Sequence, residues 1–161
     1  MIPEAPGNSF SILNPIIMPY TRVWVHFVWS TKYRQPLLRK EIRPIVFDHI
    51  TTNAKEKNIY LDAVNGFHDH IHCLVSLRRN MTISDTAHLI KGESSFWINK
   101  QGLTNMKFSW QKDYFAVSVS DTGVPFVRKY IANQEIHHQK KSFQNEYDEY
   151  IKKHGFMKLR E

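Results

Sequence analysis

Two segments of the chain alternate between apolar and other residues in a way that is typical of β-strands with one apolar face. In residues 22–30, every odd position is Val, Phe or Trp, while the even positions mix polar and apolar side chains. In residues 69–77, the odd positions from 71 onward are apolar and the even ones include His70 and His72. Because successive strand side chains point to opposite sides, both segments predict strands that cover a hydrophobic core with one face.

Weaker patterns around these strands predict the remaining elements of the fold. The predicted elements are, in chain order, a helix at 40–57, a strand at 58–64, a turn at Asn65-Gly66, a helix at 81–99, a strand at 114–120, a helix from Pro125 to about Gln134, and a last helix at 142–153. The order β-α-β-β-α-β predicts an α+β fold of the ferredoxin-like kind. Such a fold has an antiparallel sheet with two helices on its apolar face. The opposite face, which carries His26, His70 and His72, is then free to form a site or to be covered by the C-terminal helices.

Length and composition indicate a single domain. A chain of 161 residues suits one domain, which we assign to 18–161, and residues 1–17 are expected to be a disordered lead-in. The apolar stretch at 10–20 is broken by two prolines and is too short to span a membrane, so no membrane partner is expected. The single cysteine, Cys73, excludes an internal disulfide and a multi-cysteine zinc site, and fits a cytoplasmic protein.

The charge balance points toward a polyanionic partner. Lys and Arg number 22 against 15 Asp and Glu, which gives a net charge of +7. An excess of this kind often belongs to nucleic-acid-binding proteins, although a solvated basic surface is the ordinary alternative. Aromatic residues interleaved with the basic ones, such as Tyr33, can stack on bases. The candidate nucleic-acid contacts are Lys32, Arg34, Lys91, Arg128 and Lys129.

A candidate metal site combines a strand with a helix. His70 and His72 are two residues apart on one strand, so their imidazoles project from the same face and can bind one divalent ion. Nine histidines in the chain make such a pair weak by itself, and two half-buried strand histidines are the alternative. Tyr130 and Gln134 share a helix face, which places an amide oxygen beside a phenol. Two histidines and a glutamine suit Mg²⁺ or Mn²⁺ and leave positions open for a phosphate oxygen.

The ordered set of these residues resembles the small single-tyrosine transposases of the HUH nuclease superfamily, the IS200-like insertion-sequence transposases. Residues 28–38 are similar to that family's first-strand and loop signature. Residues 130–138, followed by 143–147, are similar to its C-terminal signature, and the likeness spans about 19–156. One departure is His68, which stands where the family often has a proline before the histidine strand.

The resemblance implies a homodimer that cuts and rejoins single-stranded DNA next to hairpins at insertion-sequence ends. It assigns Tyr130 as the nucleophile that forms a 5′-phosphotyrosine, and His70, His72 and Gln134 as ligands of a divalent cation. A turn at Gly123 would allow the tyrosine helix to dock on the partner and act in trans. His137 and His138 are expected to contact backbone or DNA, and His26 is left as structural.

Three other functions remain open from the residues. A non-catalytic nucleic-acid-binding domain of ferredoxin-like fold would stack bases on its sheet, but no aromatic Lys/Arg-Gly-Phe-type motif is present. A replication-initiator or relaxase-type nickase shares the histidine pair and the tyrosine, usually within a larger multidomain chain. A metal-binding domain without catalysis requires that Tyr130 faces away from the histidines.

Overall fold

A computed structural model describes residues 21–155 and shows a four-stranded antiparallel sheet in the order β2-β3-β1-β4. The elements are β1 (Trp24–Ser30), α1 (Arg43–Glu56), β2 (Tyr60–Gly66), β3 (His70–Ser76), α2 (Ile83–Lys100), β4 (Phe115–Val119), α3 (Val124–Ala132), α4 (Gln134–Lys140) and α5 (Phe143–His154), with short 3₁₀ segments at Lys32–Arg34 and Asp121–Gly123. The predicted α+β, ferredoxin-like order is confirmed. The predicted lead-in at 1–17 lies outside the described residues.

The apolar face of the sheet packs against α1 and α2 as the alternation predicts. Phe27 of β1 and Ile71 and Cys73 of β3 are fully buried there, in one cluster with Val46 of α1 and Ile98 of α2. Burying a large aliphatic or aromatic side chain contributes about 1.5–3 kcal/mol, so this cluster strongly favours the packing of α1 and α2 on the sheet. No helix in residues 21–155 is long and apolar enough to cross a membrane.

The opposite face of the sheet is covered by the three C-terminal helices. Trp24 and Leu74 on this face form a second, smaller core with Val124 and Ile131 of α3. The central strands are therefore buried on both sides, and the polar residues of this face lie beneath α3, α4 and α5 instead of facing solvent. Any site built on the strand histidines is consequently an interior site.

The turn predicted at Asn65-Gly66 is wrong, because both residues belong to β2 and pair with β3. Gly66 is needed there for close approach: a Cβ at this position would lie 2.2 Å from the carbonyl oxygen of His70. The chain instead turns between Gly66 and His70. A glycine in a strand often marks such a close backbone contact.

The helix predicted to carry both Tyr130 and Gln134 is interrupted between them. α3 ends at Ala132, Asn133 adopts φ −98° and ψ 21°, and Gln134 begins α4. The two residues remain linked, because the Gln134 side-chain amide donates to the Tyr130 carbonyl oxygen at 3.3 Å. The break therefore changes the direction of the chain and keeps the pair together.

Candidate metal centre and tyrosine

Four residues from three elements direct metal-ligating atoms at one point beneath the C-terminal helices. His70 and His72 come from β3, His138 from α4 and Glu146 from α5, and one ligand atom from each lies within 4.8 Å of all the others. His70, His72 and Glu146 are buried. We call these four residues the donor cluster.

The three imidazoles of the donor cluster are oriented by hydrogen bonds at their outer nitrogens. In each ring Nδ1 is engaged away from the cluster, which leaves Nε2 directed inward. The Nδ1 partners are Asp69 Oδ1 for His70 at 2.8 Å, His26 Nε2 for His72 at 3.0 Å, and the Lys141 carbonyl oxygen for His138 at 2.8 Å. Metal-ligating histidines are characteristically fixed in this way by a carboxylate, a carbonyl or another polar group.

Gln134 adds an oxygen donor to the cluster. Its side chain is fully buried, and its Oε1 lies 3.3 Å from His70 Nε2 and 3.0 Å from His138 Nε2. The structure thus brings together the three residues singled out in the sequence as metal ligands, His70, His72 and Gln134. Their role as ligands remains a prediction.

Several buried polar atoms in the donor cluster or next to it lack hydrogen-bond partners within residues 21–155. They are His72 Nε2, His137 Nε2 and both carboxylate oxygens of Glu146. The Glu146 oxygens nevertheless lie 3.1 Å from His138 Nε2 and 3.4 Å from His72 Nε2. Buried polar groups are normally paired, so orphaned atoms that converge on one point are what a bound cation would satisfy.

The shifted pKa values of the cluster residues also favour a bound cation. Burial raises the pKa of the Glu146 carboxyl to about 8, and the nearby Asp69 and Glu149 add to this shift. Burial holds the pKa of His72 well below its usual range, with added repulsion from His26, and it lowers that of His138 to about 4. His72 and His138 are therefore held as neutral imidazoles, the protonation state that metal binding requires, and Glu146 is a carboxyl that a cation would help to ionise.

Tyr130 lies beside this cluster in the same chain. Its half-buried ring is 5.5 Å from the ring of His72 and 5.2 Å from that of His137, measured between centroids in edge-on arrangements. The tyrosine therefore faces the histidines. A metal-binding domain without catalysis required that Tyr130 face away from them, so the structure does not support that alternative. A partner chain is not needed to bring Tyr130 to the cluster, and the predicted action in trans stays a matter for experiment.

A second tyrosine, Tyr150 of α5, also lies near the histidines. Its hydroxyl is 2.9 Å from His26 Nδ1. His26 Nε2 in turn lies 3.0 Å from His72 Nδ1, so His26 links the Tyr150 hydroxyl to a candidate metal ligand. With an ion on His72 Nε2, the proton of that ring would sit on Nδ1 and be donated to His26 Nε2. Burial, followed by the Glu146 charge, raises the pKa of Tyr150 above its usual range, which disfavours the phenolate. His26, predicted as merely structural, thus orients a candidate metal ligand.

The sequence interpretation missed two members of the cluster. For His138 it predicted a backbone or DNA contact; Nδ1 does bond the Lys141 carbonyl, while Nε2 joins the cluster. A signal for Glu146 existed, because it shares one face of α5 with Phe143 and Tyr150 at helical spacing. A carboxylate on the aromatic face of a helix is unusual enough to indicate a buried role.

Two of the predicted nucleic-acid contacts, Arg128 and Lys91, are already engaged within the protein, as is Arg34, whose Nη1 donates to Gln144 Oε1 at 2.6 Å. Arg128 donates two hydrogen bonds to the Asp62 carboxylate, at 2.7 and 2.9 Å. The Lys91 ammonium donates to the Lys112 carbonyl oxygen at 2.7 Å, and its burial lowers the pKa. These partners hold the Arg128 and Lys91 side chains against the protein and occupy part of their donor capacity.

The other three predicted contacts lie near the site or at its entrance. Lys129 lines a surface cavity of about 800 Å³ together with Tyr130, Lys140 and Lys141. Lys32 and Arg34 lie in the loop after β1, where the Arg34 guanidinium is 4.8 Å from the ring centre of Phe143. Basic side chains therefore border the tyrosine on one side and the cluster on the other.

Comparisons with known proteins agree on one family. Residues 19–134 match the family model described as transposase IS200-like. The ISDra2 transposase TnpA of Deinococcus radiodurans is 25% identical over 114 residues, 68% of this chain and 81% of that protein. The transposase for insertion sequence element IS200 of Salmonella typhimurium is 26% identical over 115 residues, 68% of this chain and 74% of that protein.

Solved structures show the same fold. A crystal structure from Deinococcus radiodurans, assigned as a transposase, superimposes with a TM-score of 0.56 at 24% identity, covering 72% of this chain and 93% of the other. A REP-associated tyrosine transposase bound to a REP hairpin gives a TM-score of 0.54 at 17% identity, covering 75% and 72%. The family match ends at Gln134, so His138 and Glu146 lie beyond the matched residues.

Proposed function

Because the chain belongs to the IS200-like transposase family, we propose that it cuts and rejoins single-stranded DNA beside hairpins at insertion-sequence ends, through a covalent tyrosine intermediate. One observation carries the proposal: the Tyr130 ring lies 5.5 Å from the ring of His72, at the edge of the donor cluster. A phenol beside a candidate metal centre supplies both a nucleophile and a means of stabilising the attacked phosphate. A cytoplasmic location, predicted from the sequence, belongs to the same proposal.

The chemistry assigned to Tyr130 is a reversible transesterification. Its hydroxyl oxygen attacks phosphorus, the bond to the 3′ oxygen breaks, and the products are a 5′-phosphotyrosine and a free 3′-hydroxyl. The phenol loses a proton and the leaving oxygen gains one, so no external proton is consumed. The phosphodiester bond is conserved in the protein–DNA link, and attack by another 3′-hydroxyl reseals DNA without hydrolysis. Lys129, Lys140 and Lys141 border the same cavity and suit the flanking phosphates.

The residues that would hold the divalent ion are His70, His72 and Gln134, extended by His138 and Glu146. When bound, the ion supplies Lewis-acid polarisation of a phosphate oxygen. The sequence alone predicted Mg²⁺ or Mn²⁺. Mg²⁺ prefers an octahedral shell of oxygen atoms, whereas imidazole nitrogens suit transition ions, so a third histidine favours Mn²⁺ over Mg²⁺.

The direct test uses a labelled single strand that carries a hairpin and a flanking single-stranded segment. We expect a protein–DNA adduct that survives boiling in detergent, forms with Mn²⁺ and is absent in EDTA. A second unlabelled strand end should then yield a resealed product. Binding without any adduct, across oligonucleotides representing the element's own ends, would instead support the non-catalytic nucleic-acid-binding alternative.

Removing the strand histidines should abolish both ion binding and cleavage. We expect the double variant His70→Ala, His72→Ala to lose Mn²⁺ affinity by at least about 100-fold in calorimetric titration, with no adduct formed. The sequence suggested that this change spares the fold, but both side chains are fully buried, so circular dichroism must accompany the titration. His88→Ala, on the exposed side of α2, is the matched control. Retained Mn²⁺ binding in a folded double variant would contradict the assignment.

Homodimerisation stays a prediction of the family resemblance, and subunit mixing tests how a dimer would use its tyrosine. The placement of Tyr130 beside His72 within one chain supports action in cis. Mixing a Tyr130→Phe chain with a His72→Ala chain should therefore restore no cleavage. Recovery of about a quarter to half of the wild-type activity would demonstrate that the tyrosine is supplied in trans.

A further inference from the structure

A cavity of about 590 Å³ at the β1–β4 edge of the sheet has no role in the chemistry described above. Its lining is unusually aromatic for a surface cavity. The aromatic residues that line it are Trp29, Tyr33, Tyr114, Phe115, Phe143 and Tyr147. We call it the aromatic cavity.

The aromatic cavity shares a wall with the donor cluster. The ring of Phe143 stacks on the imidazole of His70, with centroids 4.1 Å apart and planes inclined by 11°. The Arg34 guanidinium lies 4.8 Å from the same ring, and Asp69 approaches both Arg34 at 3.5 Å and His70 at 2.8 Å. The ring of Phe143 is thus the wall between this cavity and His70 of the donor cluster.

The loop at the rim of the cavity is held in a costly conformation. Tyr33 and Arg34 have φ of 56° and 54°, in the left-handed region that disfavours side chains other than glycine. The fully buried Thr31 stabilises this loop, because its hydroxyl donates to the carbonyl of Gln35 at 2.7 Å. The outcome is a Tyr33 side chain that is 79% exposed. Backbone strain of this kind is characteristic of ligand clamps.

One residue of the lining, Trp29, carries a buried polar hydrogen. The side chain of Trp29 is only 2% exposed, and its indole N–H has no hydrogen-bond partner among residues 21–155. A buried polar group without a partner is rare in native proteins and calls for an explanation.

We propose that the aromatic cavity binds one unpaired base of the single-stranded DNA next to the cleaved phosphate, with Tyr33 stacking on that base. The inference rests on the proposed function, which makes single-stranded DNA the substrate. Aromatic faces stack on every base, while Lys32 and Arg34 at the rim suit the adjoining phosphates. A base held here would fix which phosphodiester bond reaches Tyr130, so the cavity positions the substrate for cleavage.

The test measures binding of a fluorescent single-stranded oligonucleotide in EDTA, where no cleavage occurs. Tyr33→Ala should weaken binding by at least about fivefold, and Tyr33→Phe should retain it, because stacking needs the ring and not the hydroxyl. The slope of affinity against salt should stay unchanged in Tyr33→Ala and decrease in Arg34→Ala, which removes a phosphate contact. Phe96→Ala removes another exposed aromatic, on α2, and should have no effect.

A second readout locates the base. A 2-aminopurine placed along the strand beside the cleavage position should be quenched at one position by the wild-type protein and not by Tyr33→Ala. An abasic site at that position should weaken wild-type binding and leave Tyr33→Ala unaffected. If the wild-type protein forms the covalent adduct but Tyr33→Ala binds and quenches normally, the cavity proposal is overturned while the proposed function stands. If the wild-type protein binds no single strand at all, the proposed function fails first.

Discussion

Replacing Tyr130 with phenylalanine is expected to abolish the covalent protein–DNA adduct and to reduce cleavage by at least about 10⁴-fold, the scale on which covalent enzymes lose activity without their nucleophile. The change removes one oxygen atom and keeps the ring that contacts His72 and His137. Stability should therefore change by no more than ~1 kcal/mol, the net value of one hydrogen bond. Mn²⁺ binding, measured by titration, should remain as in the wild type.

The matched control is Tyr150→Phe, because Tyr150 is the other tyrosine near the cluster. Its hydroxyl bonds His26 and its pKa is raised by burial, so it is placed to orient His72 and poorly placed to become a phenolate. This variant should keep forming the adduct, with a modest loss of Mn²⁺ affinity. An adduct that persists in Tyr130→Phe and disappears in Tyr150→Phe would show that α5, not α3, carries the nucleophile.

The fold was predictable because it is encoded by short-range periodicity. The alternation over residues 69–77 fixes both the strand and the side on which His70 and His72 lie, whatever packs above them. The turn assigned to Asn65-Gly66 failed for the opposite reason. Its glycine serves a contact with the backbone of His70, and a local turn signal does not distinguish that use from a true turn.

The candidate site was predictable only where one element carries neighbouring donors. His70 and His72 share a strand, and Gln134 follows Tyr130 by one turn even across the break at Asn133. Glu146 comes from α5, and its approach to His72 depends on how that helix packs over the sheet. No local pattern specifies that packing. The same holds for the link from His26 to His72, which joins β1 to β3 at 3.0 Å.

Compared with the wild type, Glu146→Gln is expected to be more stable without metal and to gain less stability when metal binds. In the metal-free protein the folded state holds Glu146 with a pKa of about 8, above the value near 4.5 that the group has when exposed. Between pH 4.5 and 8 the Glu146 carboxyl is ionised in the unfolded chain and protonated in the folded one. The free energy of unfolding of the metal-free protein therefore decreases as the pH rises toward 8. Glu146→Gln removes this penalty and should raise the free energy of unfolding at pH 8 by ~1–3 kcal/mol.

Mn²⁺ should raise the free energy of unfolding of the wild type by more than that of Glu146→Gln. An ion at 100 times its dissociation constant stabilises the folded state by ~2.7 kcal/mol, and the variant, which has lost an anionic ligand, should gain clearly less. Thermal unfolding at pH 8 with and without Mn²⁺ measures both effects. Asp148→Asn is the matched control, because its exposed carboxylate on the same helix accepts from Gln144 outside the cluster. An unchanged Mn²⁺ response in Glu146→Gln would place the ion elsewhere, because a buried carboxylate that ligates a cation cannot be neutralised without loss of affinity.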